Sequence, residues 1–260
     1  MSSLEMTSTT DLLHSLPGSQ LDLRFFVRFW DWEHSVRENL PRVIEERAIT
    51  VAFQTIFHLD DGRAVPCGYE ALARFPIAPR IPVGLWFRTA SEVGLGNELE
   101  RLAARAASGS SSHLSADQFL NINVSLTNVN DVVNDIAPRL DVHLFVDLPC
   151  TSLRDRACHA TFEQLGASGV QVSLDDIPLD QLHGLRPVIH AARPRYLKVD
   201  VLSGLFDNPM GRFNLAEGAA WCRDVGIGLV VERVDRADDL EMLHDLGVEM
   251  AQGYSLARPA

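Results

Sequence analysis

The sequence predicts an α/β fold, a largely parallel sheet covered by helices, with closure into a barrel favoured over an open sheet. Three observations carry this. Strand-like and helix-like segments alternate over most of the 260 residues, the pattern of a parallel sheet with helical crossovers. The first two strand-like segments are separated only by a short turn and read as an antiparallel pair. No GxGxxG or GxxxxGK[ST] loop follows any strand. An open doubly wound sheet and a closed barrel both fit the alternation, and the missing nucleotide loops favour the barrel.

The elements follow in order. Residues 1–25 begin rich in Ser and Thr and turn apolar, reading as an extension. Residues 30–46 have helical composition, and Pro41 is expected to begin a second helix rather than interrupt one. ITVAFQTIF (49–57) is rich in β-branched and aromatic residues and ends before the turn Asp60-Asp61-Gly62; VPCGYEALARF (65–75) is its partner. Helices are expected near 84–93 and 97–108. After them come strand 118–125, a short helix 129–137, strand 142–148, helix 155–167, strand 170–176, strand 195–201, helix 212–224, strand 226–234, helix 236–246 and a last strand 248–254. No element is assigned between 176 and 195.

Composition narrows the function classes. The 35 acidic residues outnumber the 23 basic ones, for a formal charge of -12, which disfavours broad electrostatic binding to DNA or to an anionic membrane surface. It leaves room for a small anionic ligand held through metal ions. No apolar run approaches the roughly 20 residues that span a bilayer, and the N-terminus has no basic segment followed by an apolar stretch. Cys67, Cys150, Cys158 and Cys222 have neither CxxC nor zinc-finger spacing. A cytoplasmic protein with reduced thiols is the expectation. Lys198 is the only lysine in an arginine-rich chain and lies in the apolar stretch PRYLKVDVL. A buried lysine, unlike arginine, can work beside a metal or a water.

The C-terminal ends of the strands carry polar groups that a core would not choose: Glu70, Asn123, Asp147, Asp175 with Asp176, Lys198, Glu232 and Gln252. Taken singly, Asp147 and Asp176 would serve as helix N-caps, Asn123 and Gln252 as loop residues, and Glu70 as a solvent-side partner of Arg74. Taken together, they fall where a barrel gathers its active site. Five carboxylates on one face repel one another unless cations lie among them, and all-oxygen ligands suit magnesium, manganese or calcium. In the adjacent pair, one carboxylate can bridge two ions while the other binds one. Two ions roughly 3.5–4 Å apart are the usual clamp for displacement at phosphorus.

These residues bring a family into view. Tyr69-Glu70-Ala71-Leu72-Ala73-Arg74 resembles the signature of the EAL-domain phosphodiesterases of bacterial cyclic di-GMP signalling. The ordered series continues with Asn123-Val124-Ser125, Asp175-Asp176, Leu197-Lys198-Val199-Asp200, Val231-Glu232-Arg233-Val234-Asp235 and Gln252-Gly253-Tyr254. The similarity covers about residues 34–260, leaving 1–33 as an N-terminal extension. It implies a TIM-like (β/α)8 barrel with an irregular, antiparallel first strand. It also implies hydrolysis of cyclic di-GMP to the linear dinucleotide pGpG with two magnesium or manganese ions, calcium being inhibitory. By motif match, Glu70, Asn123, Asp147 and Asp175 would hold one ion, and Asp175 with Asp176 the second. Lys198 and Glu232 would hold or deprotonate the attacking water and Gln252 would support the cluster. Arg74 and Asp235 would face the substrate, and a homodimer is expected.

Departures from the family pattern matter as much. Asp147 and Asp235 stand where the family has glutamates. Cys150 replaces the glutamate that braces the loop after the Asp-Asp pair, and a neutral thiol cannot accept the same charged hydrogen bonds. That loop is itself altered, with Pro178 where glycines are usual. Arg233 replaces a glycine. Three functions follow as expectations: a phosphodiesterase, active at full or reduced rate; a receptor that binds cyclic di-GMP without efficient hydrolysis; and an interaction protein using the extension and FFVRFWDW (25–32).

Overall fold

The structure, a computed structural model, describes residues 23–60, 63–200, 208–236 and 238–260. Among these residues, eight strands form a closed barrel in chain order. They are β1 (Thr50–Asp60), β2 (Arg63–Arg74), β3 (Phe119–Asn123), β4 (His143–Pro149), β5 (Gln171–Ile177), β6 (Tyr196–Asp200), β7 (Gly228–Glu232) and β8 (Met250–Ala251). The described helices are α1 (Leu23–Glu46), α2 (Val83–Glu92), α3 (Gly96–Ser110), α4 (Val129–Ile136), α5 (Cys158–Ala167), α6 (Leu182–Ala192), α7 (Pro209–Val225) and α8 (Asp239–Asp245). Strands β2 to β8 are parallel neighbours, whereas β1 runs antiparallel to β8, with Phe57 opposite Ala251. The fold is therefore the TIM-like barrel with an inverted first strand. Part of the expected turn, Asp61-Gly62, lies outside the described residues, as do residues 1–22, 201–207 and Ala237.

The chain forms two compact units. One takes the described residues up to Val51 together with Ala73–Ser110. Its core gathers Val36, Leu40 and Val43 of α1, Phe75, Leu85, Trp86 and Ala90 around α2, and Leu99 of α3. Phe75 stacks on Trp86 at 4.4 Å between centroids. Phe29 and Trp32 pack against this cluster, while Trp30 is 71% exposed. Helix α1 is one continuous helix through Pro41, not two as the sequence suggested. The Pro41 ring faces solvent, and burial of Leu40 and Val43 on the opposite side outweighs the lost backbone hydrogen bond.

The other unit, Ala52–Leu72 with Ser111–Ala260, holds most of the barrel. Its interior begins with an aromatic floor. Phe119, Phe145 and Tyr196 lie 4.6–5.5 Å apart by centroid and pack with Ile56, Val230, Met250 and Cys67. A Cβ on Gly68 would come within 2.4 Å of the Phe119 ring, so glycine there makes room for the floor. Helix α6 has no counterpart in the sequence reading. Its Gly184 and Pro187 obscured it, yet Leu182, Ile189 and Ala192 bury one face, and Arg193 ends it in the left-handed conformation at φ 53°. Helix α7 begins at Pro209 with the Asn208 side chain accepting from the Met210 amide at 3.0 Å. No described helix is long and apolar enough to cross a membrane.

Candidate metal centre

Side chains alternate along a strand, so a residue two beyond the floor points the same way, one layer higher. Gly68 is followed by Glu70, Phe119 by Asn121 and Asn123, Phe145 by Asp147, Tyr196 by Lys198, Val230 by Glu232, and Met250 by Gln252. On β5 the inward series is Ser173 then Asp175, with Ser173 opposite Asp147. The polar layer thus rests on a buried aromatic base, where charge interactions are strengthened.

Lys198, 1% exposed, is the centre. Its Nζ lies 2.8 Å from Glu232 Oε1, 2.9 Å from Asp147 Oδ2, 3.3 Å from Glu70 Oε2 and 3.7 Å from Asp175 Oδ2. Glu70 accepts further hydrogen bonds from Asn123 Nδ2 on Oε1 and from Gln252 Nε2 on Oε2, both 2.7 Å. Glu70 and Asp147, both buried, are therefore not the solvent-side partner of Arg74 and the helix cap that each could be when read singly. Ligand atoms of Glu70, Asp147 and Asp175 lie within 4.8 Å of one another, a spacing one cation can bridge. The Asp147 Oδ1 atom is buried with no hydrogen-bond partner. Four carboxylates against one ammonium leave a charge of -3 if all are ionised. Oxygen donors with that excess of negative charge fit a hard divalent cation.

Electrostatics follow from this crowding. Burial would lower the Lys198 pKa, but Asp147, Asp175, Glu232 and Glu70 together hold it well above the ordinary lysine range. Burial, helped by Asp175 and Glu70, raises Asp147 to about 7 against the pull of Lys198. Burial and Asp175 hold Glu232 well above the carboxylate range. For Glu70, burial is outweighed by Lys198, Asn123 and Gln252, and its pKa falls. Groups with raised folded pKa values stabilise the fold fully below their unfolded values and lose that contribution as pH rises through the folded ones. In chelator, the thermal midpoint is therefore expected to fall as pH rises from 3.8 through about 7, driven by Asp147 together with Glu232. Added divalent metal should flatten the decline. Thermal scans across that range, with and without metal, check this; a midpoint that rises instead would contradict the electrostatics.

The Asp175-Asp176 pair occupies an irregularity of β5, where the pairing with β6 shifts between Leu174 and Ile177. Asp176 adopts φ 54°, uncommon for a side-chain-bearing residue. Its amide donates to Asp175 Oδ1 at 2.8 Å, and its exposed side chain is not among the three that converge. The Cys150 thiol donates to the Asp176 carbonyl at 3.1 Å. The link from residue 150 to the Asp-Asp segment thus exists with the thiol as donor. Arg233, at φ 57°, pairs with Asp200 at 3.1 Å on the neighbouring strand.

The two expected substrate residues make local contacts of their own. Arg74 ends β2 and belongs to the unit containing α1–α3; its Nη1 donates to the Ala73 carbonyl. Asp235 is exposed beyond β7, its Oδ1 accepting from the Tyr254 amide at 3.4 Å. This contact helps fold the turn after Gln252. A Cβ on Gly253 would lie 2.2–2.6 Å from the Val234 backbone, so only glycine lets the turn approach β7. Gly253→Ala should therefore lower the thermal midpoint, costing about 1–3 kcal/mol by overpacking, measurable by denaturant unfolding.

One buried site residue escaped the sequence reading. Asn121, 1% exposed, donates from Nδ2 to Asp147 Oδ2 at 2.7 Å. Its signal was available: in F-L-N-I-N it lies two before Asn123, on the same face of an otherwise apolar strand.

Residues 37–259 match the EAL domain family. No curated protein matches the chain. Among solved structures, the PaMucR phosphodiesterase in complex with c-di-GMP is similar at TM-score 0.72 and 23% identity, covering 86% of this chain and 97% of that one. The Xanthomonas citri FimX EAL domain, in complex with c-diGMP, gives TM-score 0.70 and 17% identity, with 92% and 97% covered. The Bacillus subtilis YkuI protein, with an EAL domain and in complex with substrate c-di-GMP and calcium, gives 0.65 and 17%, with 86% and 57% covered.

Proposed function

We propose, for a chain that belongs to the EAL domain family, that it hydrolyses one phosphodiester bond of cyclic di-GMP, giving linear pGpG. The observation that carries this reading is the convergence of Glu70, Asp147 and Asp175 around Lys198, with one carboxylate oxygen of Asp147 buried and unpaired. Glu70, Asn123, Asp147 and Asp175 would hold one magnesium or manganese ion, and Asp175 with Asp176 a second. Such ions neutralise charge at the phosphoryl group and lower the pKa of a bound water.

The protein groups would do the rest. Glu232, held 2.8 Å from Lys198 Nζ, would take a proton from the attacking water. Lys198 Nζ, charged throughout the neutral range, orients Glu232 through the 2.8 Å contact. Gln252 holds Glu70. Arg74 would meet a substrate phosphate, and Asp235 the nucleotide beside the Gln252–Tyr254 turn. Calcium is expected to support binding and inhibit turnover. A homodimer, and a partner docked on the N-terminal extension, belong to the same proposal.

One observation favours a second reading, a cyclic di-GMP receptor with little turnover. The Asp176 side chain is not among the three that converge, and its segment is tied by a neutral thiol rather than a charged brace. Chromatographic quantitation of cyclic di-GMP, after incubation with the protein and excess manganese or magnesium, separates the two. Appearance of pGpG supports the phosphodiesterase. Binding in calcium with no product in manganese supports the receptor, and neither binding nor product overturns both.

A further inference from the structure

We infer that Asn121 is a positioning residue that aims the Asp147 carboxylate at the cation. The inference rests on the metal-dependent reading above. Asn121 is the register neighbour of Glu70 on β2 and lies one step below Asp147 on β4. Its amide donates to Asp147 Oδ2 at 2.7 Å, and the same oxygen accepts from Lys198 Nζ at 2.9 Å. Both donors therefore hold one oxygen. The other, Oδ1, is buried without a partner, and would be the atom left for a cation. Rotation of the carboxylate would break both bonds at once.

The orientation of the amide is dictated chemically. Its own Oδ1, also buried and unpaired, could not face a carboxylate oxygen without repulsion, so the NH2 must. Aspartate has a single methylene, and its head lies within reach of a side chain on the adjacent strand. A glutamate at the same position would carry its carboxylate past Asn121 and escape its control. Groups that orient a metal ligand in this way are typically worth about 10–100-fold in metal affinity.

The test is manganese binding to the full chain, by calorimetric titration, for the wild type, Asn121→Leu, Asp147→Glu and the double variant. Leucine keeps the branched outline of asparagine, with bulkier methyl groups, and removes the donor. Asn121→Leu should weaken manganese binding by about 10–100-fold, whereas the same change should cost little in the Asp147→Glu background. Thermal midpoints in chelator identify unfolded variants, and Asn121→Ser, smaller and still a donor, serves if leucine prevents folding. Its loss should be intermediate. Unchanged affinity in Asn121→Leu, or in Asn121→Ser where that is the folded variant, overturns the inference while leaving the proposed function standing. Equal losses in both Asp147 backgrounds also overturn it, because the effect would then be one of packing. A wild type that binds no manganese removes the functional reading and this inference with it.

Discussion

Glu70→Gln is expected to abolish nearly all metal-dependent turnover, by about 10²–10³-fold, the scale seen when one electrostatic group at a reaction centre is removed. Glutamine keeps the volume, so the loss is one of charge and hydrogen-bond polarity. Glu70 is acceptor to Asn123 on one oxygen and to Gln252 and Lys198 on the other. An amide must turn its NH2 towards one of those donors, leaving a buried donor facing a donor. Because Glu70 is held ionised by these neighbours, the variant should also unfold at a slightly lower temperature in chelator. Quantitation of pGpG under saturating manganese reads the main effect. Turnover equal to wild type would disprove the assignment of the centre.

Lys198→Met should have the largest effect on stability. It removes the only cation among four carboxylates in a layer sealed below by aromatic rings. Removing one partner of a buried ionic cluster costs about 3–5 kcal/mol. The charge origin gives the loss a pH signature. At low pH, Asp147 and Glu232 take up protons and need less compensation, so the deficit should shrink; as pH rises above about 7, where Asp147 ionises beside Lys198 but is held protonated without it, the deficit should grow. Divalent metal should restore part of it. Thermal unfolding at both ends of that range decides the matter, since a deficit independent of pH and metal would mean lost packing alone.

Much of this was legible in the sequence because it depends on period. Strand-helix alternation, the hairpin at the start and the polar residues at strand ends are local patterns, and closure places those ends on one face. Asn121 was equally periodic but was hidden by the more obvious Asn123 two residues later. Helix α6 was illegible because Gly184 and Pro187 are poor helix formers, and its stability comes from burying Leu182 and Ile189. The same competition hid the continuity of α1 through Pro41.

What chain order alone determined is the set of groups: carboxylates, amides and one lysine, each two residues beyond a core position. Only the tertiary structure decided their relations. Lys198 lies 51 residues from Asp147 yet 2.9 Å from it in space. Gln252 is 182 residues from Glu70 and holds it at 2.7 Å. Closing the barrel also buried Asp147 and Lys198, and burial, which no local pattern encodes, raised Asp147 and Glu232. The conformation of Asp176 was likewise set by the irregular pairing of β5 with β6, a property of two strands together.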